Sequence, residues 1–385
     1  MKTTLISLLC LLFSLNIFGQ VKKTKYDSTI LGETRQFQFY IPEDYDPEKK
    51  YPLFIVLDGD YLFDLVVASV KFNSYNDLMP KSIVVGINQG YNNLRFSDCD
   101  FSDEDGLPKE KGKLFFDFIE REVVPLIQQN YNLAEFKAVA GHGITANFIN
   151  YYLFKDNPLF DAYISLSPTF APQMTERIAD RLSQFEDRKF YYLANSERNL
   201  DKEDKERISA LNGMLKTIDN PKFYYFYDNF ENATPFTAAS YGIPKAIDLM
   251  FDLYEPISKE EYDKNVITHE APVINYLIKK QETIKELFGF EKPIPLNDIM
   301  AIYSVIKTKK YDDLESLERL SDISKKEFPD TMLGFFFLAE YYEQMGEPKK
   351  ALKTYENAFT MSEIDFLTKD LMLDRITSIK EDFGY

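Results

Sequence analysis

Tryptophan is absent from this chain, and histidine and cysteine occur only twice each among 385 residues. The first is a matter of packing; the other two narrow the chemistry open to the chain. The two cysteines, Cys10 and Cys99, form no CxxC pair, which removes a CxxC metal site. Cys10 lies in an N-terminal apolar stretch, so once that stretch is set aside Cys99 is a lone cysteine and no intramolecular disulfide can form. His142 and His269 are the only imidazoles, so any reaction that needs a histidine base has two candidates. Positive charge is also scarce. Lys and Arg number 45 against 62 Asp and Glu, a formal net charge of −17 that disfavours nucleic acid and anionic lipid as partners. Beyond the N-terminus no apolar run is long enough to span a bilayer.

What the chain has in quantity is packing material. Hydrophobic residues make up 45%, with 33 Phe and 26 Tyr, as in a globular protein with a large core. The first twenty residues, MKTTLISLLCLLFSLNIFGQ, stand apart. Lys2, the apolar run Leu5 to Phe18 and the small Gly19 fit a secretory signal peptide cleaved near Gln20. A membrane anchor is the competing reading, but the run is short for a span. A lipoprotein modified at Cys10 is another, but Ser7, Leu8 and Leu9 are not the small residues such a site needs. The expected destination is outside the cytoplasm: periplasmic, outer-membrane-associated or secreted.

From Tyr26 to about Tyr254 apolar strands alternate with helical patterns. RQFQFYIP has the period of a half-buried strand, while YPLFIVLDGD (51–60) and KSIVVGIN (81–88) are continuous runs of the kind covered on both faces. FKAVAG, DAYISLSP (161–168), KFYYLANS (189–196) and KFYYFYD (222–228) read as further strands, and 113–131 as a helix. This alternation predicts an α/β fold with a mostly parallel sheet over residues 21–256. Beyond it the texture becomes charged and helical. Residues 257–294 read as a helical linker. Residues 295–385 read as a small all-helical module, with a helix pair closed by Pro329. Leu338, Ala339, Tyr342, Gly346, Ala351, Tyr355 and Ala358 then fall at tetratricopeptide spacing. A plain helical hairpin covering hydrophobic surface fits the same spacing. Phe335, Phe336, Phe337, Leu338 and Tyr341 exceed what one hairpin can bury, which predicts that the module docks on the first domain.

The segment KAVAGHGITANF (137–148) carries the functional question. A short strand, a glycine turn and a helix start make the layout of a nucleophile elbow, G-x-S-x-G. Here the frame runs Gly141, His142, Gly143, Ile144, Thr145. With YPLFIVLDGDYLF, IVVGIN followed by LRFSDCDF, and FFDFIEREVVPLI ahead of AGHG, residues 26 to 255 resemble the secreted, esterase D-like family of α/β-hydrolases. That family includes enterochelin esterases and feruloyl-ester hydrolases. The resemblance implies an α/β-hydrolase fold, a serine nucleophile, a histidine base, an orienting carboxylate and backbone amides that bind an oxyanion. It also implies that AGHG stands where the family has AGHS.

Measured against that resemblance, Gly143 occupies the serine position and Pro235 the histidine position, in the loop YDNFENATPFTAASYGIPKAI. Neither side chain can attack, accept or titrate. Glu197 and Asp201 are the candidate relics of the acid. Asp60, Tyr61 and Ile144 mark a candidate residual oxyanion turn. Thr145 is a poor substitute nucleophile, because it belongs to the first turn of the helix. His142 reads as a structural hydrogen-bonding residue and His269 as a surface or linker residue. The expected function is a non-catalytic esterase-like envelope or secreted protein, a binding or scaffold module without cofactor or metal. It would take a ligand in the vestigial cleft or a protein partner on the C-terminal helices. The alternative is an active ester hydrolase using a metal or a carboxylate-held water. For that, FSDCDFSDEDG (96–106) is the one acid-rich loop, and it lacks the calcium-loop pattern, so it reads as a solvated loop.

Overall fold

The computed structural model describes residues 21–384 except 271 and 310, so the leader reading over 1–20 lies outside the described residues. The chain divides into two compact units. One runs to Tyr254 and takes in Leu287–Gly289, and the other comprises Glu255–Glu286 and continues from Phe290.

The first unit is built on an eight-stranded sheet in the order β1-β2-β4-β3-β5-β6-β7-β8. The strands are β1 Lys22–Ser28, β2 Glu33–Tyr40, β3 Tyr51–Val56, β4 Ile83–Asn88, β5 Leu133–His142, β6 Ala162–Leu166, β7 Lys189–Ser196 and β8 Phe223–Phe230. From β4 through β8 every pairing is parallel, while β1 and β2 pair antiparallel and β2 runs antiparallel to β4. β3, β6 and β7 are buried along their whole length, Ser165, Lys189, Asn195 and Ser196 included, as expected when helices cover both faces. β1, KKTKYDS, has no such run. It forms because a four-residue turn at 29–32 folds it back on β2, with the Gly32 amide donating to the Ser28 carbonyl at 3.0 Å. The two ends of the sheet differ in chemistry. β1 carries Lys22, Lys23 and Lys25, whereas β8 carries Phe223, Tyr224, Tyr225, Phe226, Tyr227 and Phe230.

The helix expected over 113–131 forms as Glu110–Phe118 and Val124–Asn130, joined by a π-turn at Ile119–Val123. Pro125, which has no N–H for the α ladder, explains the interruption. Helices Gly59–Tyr75, Ile144–Phe148 and Pro235–Phe251 follow β3, β5 and β8 in sequence, so their first turns gather at the carboxyl ends of parallel strands.

The second unit has its own core. Helices Leu296–Thr308, Leu314–Glu327, Leu333–Gln344, Pro348–Ala358 and Lys369–Phe383 bury Ile302, Leu317, Phe336, Phe337, Ala339, Ala351, Tyr355 and Ala358 against one another. One reading of the sequence changes here. Residues 257–294 are more than a linker: Ile257, Val266, Val273, Ile274 and Leu277 belong to this core, and the Val273 and Ile274 amides donate to Asp313 Oδ2 at 2.7 Å and Ser316 Oγ at 3.0 Å. Phe335 and Tyr341 also pack on that core, beside the buried Phe336 and Phe337. Gly346 makes its turn with a φ of 73°.

Candidate functional site

The elbow is formed by close packing between the end of β5 and the helix behind it. A Cβ on Gly141 would lie 2.6 Å from the backbone of Thr145, so only glycine lets the two segments meet. Gly143 turns the chain with φ 62° and ψ −117°. Its amide donates to the Leu166 carbonyl at 2.9 Å, and its carbonyl accepts from the amides of Asn147 at 3.2 Å and Thr169 at 3.1 Å. A residue with a side chain would be strained at this φ, and its Cβ would lie 3.1 Å from Arg95 Nη2. The place of a nucleophile is thus flanked by a guanidinium.

Arg95 is held there by two groups. Its Nε donates to Asp58 Oδ1 at 2.6 Å, and its Nη2 donates to the His142 carbonyl. Asp58 is the left-handed residue before helix Gly59–Tyr75 and is 1% exposed. Its Oδ2 accepts the Thr145 hydroxyl at 2.6 Å, and the same Thr145 oxygen accepts the His142 amide at 2.7 Å. Burial pushes the Asp58 carboxyl up, against the pull of Arg95 and the Thr145 hydrogen bond. Burial works against the Arg95 charge, but Asp58 holds its pKa above the ordinary value. The Asp58 amide donates to Gln89 Oε1 at 3.2 Å, and Gln89 Nε2 donates to Asp98 Oδ2 at 3.0 Å. Asp98 closes the chain of contacts with a bidentate pair to Arg35 at 2.6 and 2.7 Å.

On the other side of the turn stands an aromatic group. His142 Nδ1 lies 2.8 Å from the Tyr61 hydroxyl. The exposed ring of Phe236 is 5.1 Å from the His142 ring and 5.6 Å from that of Tyr61. Burial first, and the Arg95 charge second, lower the His142 pKa to about 4, so the ring is neutral at pH 7. The Pro235 carbonyl favours the charged ring and opposes part of that shift, although Nε2 forms no hydrogen bond among the described residues. Burial and the Asp58 charge push the Tyr61 phenol well up, so it stays a neutral hydroxyl.

The structure therefore brings Gly143, Pro235, Tyr61 and Thr145 into one neighbourhood and leaves other candidates elsewhere. Pro235 opens helix Pro235–Phe251 at a position where a missing N–H costs nothing, behind Thr234, whose hydroxyl accepts the Thr237 amide at 3.3 Å. The Arg198 amide donates to the Ala233 carbonyl at 3.0 Å, so the loop after β7 borders the loop that leads to Pro235. Glu197, however, accepts Asn229 Nδ2 at 2.9 Å and pairs with Lys205 at 3.9 Å, and Asp201 flanks the start of helix Lys202–Leu215. The oxyanion reading needs correction at Tyr61: its amide already donates to the Asp58 carbonyl at 3.1 Å. The Asp60 carboxylate ties down the next loop, accepting the Gln89 and Gly90 amides at 2.7 Å each. Ile144 opens helix Ile144–Phe148 and is half-buried. Thr145 is fully buried, with its hydroxyl directed at Asp58. His269 belongs to the second unit, its ring 5.7 Å from Tyr276.

The 96–106 loop is also corrected. Asp98 is fully buried because Arg35 compensates its charge, whereas Asp103, Glu104 and Asp105 face solvent and the half-exposed Asp100 pairs with Lys109 at 2.9 Å. Among the described residues no group of three or more His, Cys, Asp or Glu could hold a metal. Arg95, Asp58, Gln89 and Phe236 escape the sequence reading as site residues. The signals are present in LDGDYLF and in the arginine of LRFSDCDF, but neither motif says which acid an arginine will find.

A family model described as Putative esterase matches residues 28–235. Among solved structures, an uncharacterised protein from Capnocytophaga ochracea DSM 7271 is 33% identical, with a TM-score of 0.86 over 94% of this chain and 100% of that one. An IroE-like serine hydrolase from Shewanella oneidensis is 19% identical, with a TM-score of 0.58 over 80% of this chain and 99% of that one. BES protein from Bacillus cereus is 20% identical, with a TM-score of 0.53 over 62% of this chain and 97% of that one. At such identities the last two speak for the fold alone. No curated protein matches the chain. With the sheet order, the elbow and a family match that covers more than half of its length, this chain belongs to the Putative esterase family.

Proposed function

We propose that this protein is a non-catalytic member of its family, an exported binding module that holds a ligand in the cleft around Gly143 and engages a protein partner through its C-terminal helices. One observation carries the reading: the elbow tip has no side chain, and the guanidinium of Arg95 lies against the place where one would begin. Acyl transfer needs a nucleophile and a base within reach of each other. The base position is Pro235, and the one imidazole at the turn, His142, is buried, neutral and in contact with Tyr61. Thr145 offers no way round this, because it is fully buried, with its hydroxyl donating to Asp58.

Steady-state assays with activated acyl esters test the reading on the wild type, Gly143→Ser, Pro235→His and the double variant. The wild type and both single variants stay at the level of a denatured control. A serine hydroxyl is weak without a base, and a histidine alone has nothing to activate. The double variant recovers partial turnover, held down by backbone strain at residue 143 and by the nearby guanidinium, and the gain is non-additive. Ester hydrolysis by the wild type that is lost on changing another residue near the elbow overturns the reading. It would favour a hydrolase using a carboxylate-held water.

A further inference from the structure

We propose that β8 pairs antiparallel with β8 of a second copy of this chain, so that the two sheets run on as one about a two-fold axis. Such pairing is independent of the chemistry at the elbow.

Which backbone groups of β8 are open follows from two hydrogen bonds. The Lys189 amide donates to the Lys222 carbonyl at 3.0 Å, and the Glu197 amide to the Phe230 carbonyl at 3.3 Å. Between them β8 pairs with β7 residue by residue, without a bulge. Backbone groups alternate sides along a strand, so Tyr224, Phe226, Asp228 and Phe230 turn theirs to β7. Tyr225, Tyr227 and Asn229 turn theirs outward, where no donor or acceptor among the described residues meets them. Burial agrees. A strand with one wet face alternates, but β8 is half-buried at every residue except the exposed Asn229. Its exposure lies along the edge.

A two-fold axis at Tyr227 satisfies the whole set. Tyr227 then stands opposite Tyr227 of the second copy and Tyr225 opposite its Asn229, and each outward N–H meets a carbonyl. The side chains fit the same register. The Tyr225 hydroxyl donates to Asn212 Oδ1 at 2.9 Å, and Lys216 Nζ lies 5.4 Å from the centre of the Tyr227 ring. Both rings therefore stand on the face covered by helix Lys202–Leu215, and Tyr227 meets its counterpart there as an aromatic cross-strand pair. Asp228 is the one charged residue of the strand. It accepts the Tyr192 hydroxyl at 2.8 Å, pairs with Lys245, and stands opposite Phe226 of the second copy rather than opposite itself. Arg188, Lys216 and Lys245 contact the strand and offset Asp228 and Glu197. That leaves this end near neutral in a chain of net charge −17, whose acidic surfaces repel one another.

Sedimentation equilibrium on the full mature chain, across the micromolar range, is expected to show a reversible dimer. Tyr227→Pro removes an outward N–H from each copy and leaves the ladder with β7 intact. It should weaken the dimer by about tenfold or more while the circular dichroism spectrum stays that of wild type. Disulfide trapping reads the register without depending on that variant. Tyr227→Cys places two thiols on opposed residues with Cα atoms about 5.5 Å apart, within reach of a disulfide, and mild oxidation should give a covalent dimer. Tyr225→Cys, which faces Asn229 of the second copy, should give none, and the native Cys99 is buried. A chain that stays monomeric throughout the range overturns the proposal and leaves the edge to a strand of another protein. So does a dimer indifferent to Tyr227→Pro, whose copies must meet elsewhere, or one that crosslinks equally at both positions.

Discussion

His142 shows how one buried ring makes the fold sensitive to pH. Its pKa falls from 6.5 in an unfolded chain to about 4 in the folded one, chiefly through burial and then through Arg95. Between those values the unfolded state binds more protons, so stability is fully present above pH 6.5 and is lost as pH falls towards 4. The loss is on the order of 3 kcal/mol for this ring alone. Urea unfolding at pH 7.5, 5.5 and 4.5 should show a steeper decline for wild type than for His142→Gln, whose amide does not titrate. Parallel declines would place the ring in contact with solvent. At this scale the sequence is readable where a fold imposes spacing. Gly143 and Pro235 stand out because a turn and a loop must lie at set places. Arg95 and Asp58 do not, since their pairing across 37 positions depends on the sheet that brings their loops together.

Elements declare themselves when their burial is uniform. β3 and β4 lie in continuous β-rich runs between turn residues and are legible from pattern alone. β1 escapes the pattern because a charged edge strand has no apolar signature, only a partner. The break at Ile119–Val123 is hidden within good helical periodicity, with Pro125 as its one clue. The strand-to-helix junction at the elbow makes a sharper prediction. Gly141→Ala would place a Cβ 2.6 Å from the Thr145 backbone, which cannot move without opening the junction. It should lower unfolding stability by about 2–3 kcal/mol or more. Gly213, inside helix Lys202–Leu215, has open space where a Cβ would stand, with no other atom within 4 Å. Gly213→Ala should therefore raise stability by about 0.5–1 kcal/mol through helix propensity. Equilibrium denaturation of the two variants compares them directly, and equal effects would refute the close-approach argument.

For the whole molecule, the division of labour between the two cores is only partly legible. The texture of the sequence changes after Tyr254, where the chain passes from one compact unit to the other, but residues 257–294 look like a linker because their apolar positions are widely spaced. Up to Glu286 they help to complete the second core, while Leu287–Gly289 belong to the first unit. Export is a property of the chain as a whole, and the N-terminal pattern predicts a mature protein beginning near Val21. Intact-mass measurement on protein from its native cells should give that species, and a full-length cytoplasmic form would refute export. The ends of the sheet have a further consequence, for colloidal behaviour. Strand edges recruit other strands unless charge or covering prevents it. β1 defends its end with lysines, while β8 offers six aromatic residues in eight, interrupted only by Asp228 and Asn229. Self-association during refolding at high concentration would therefore start from β8, and a single lysine placed on that strand would do more for solubility than any added to an already acidic surface.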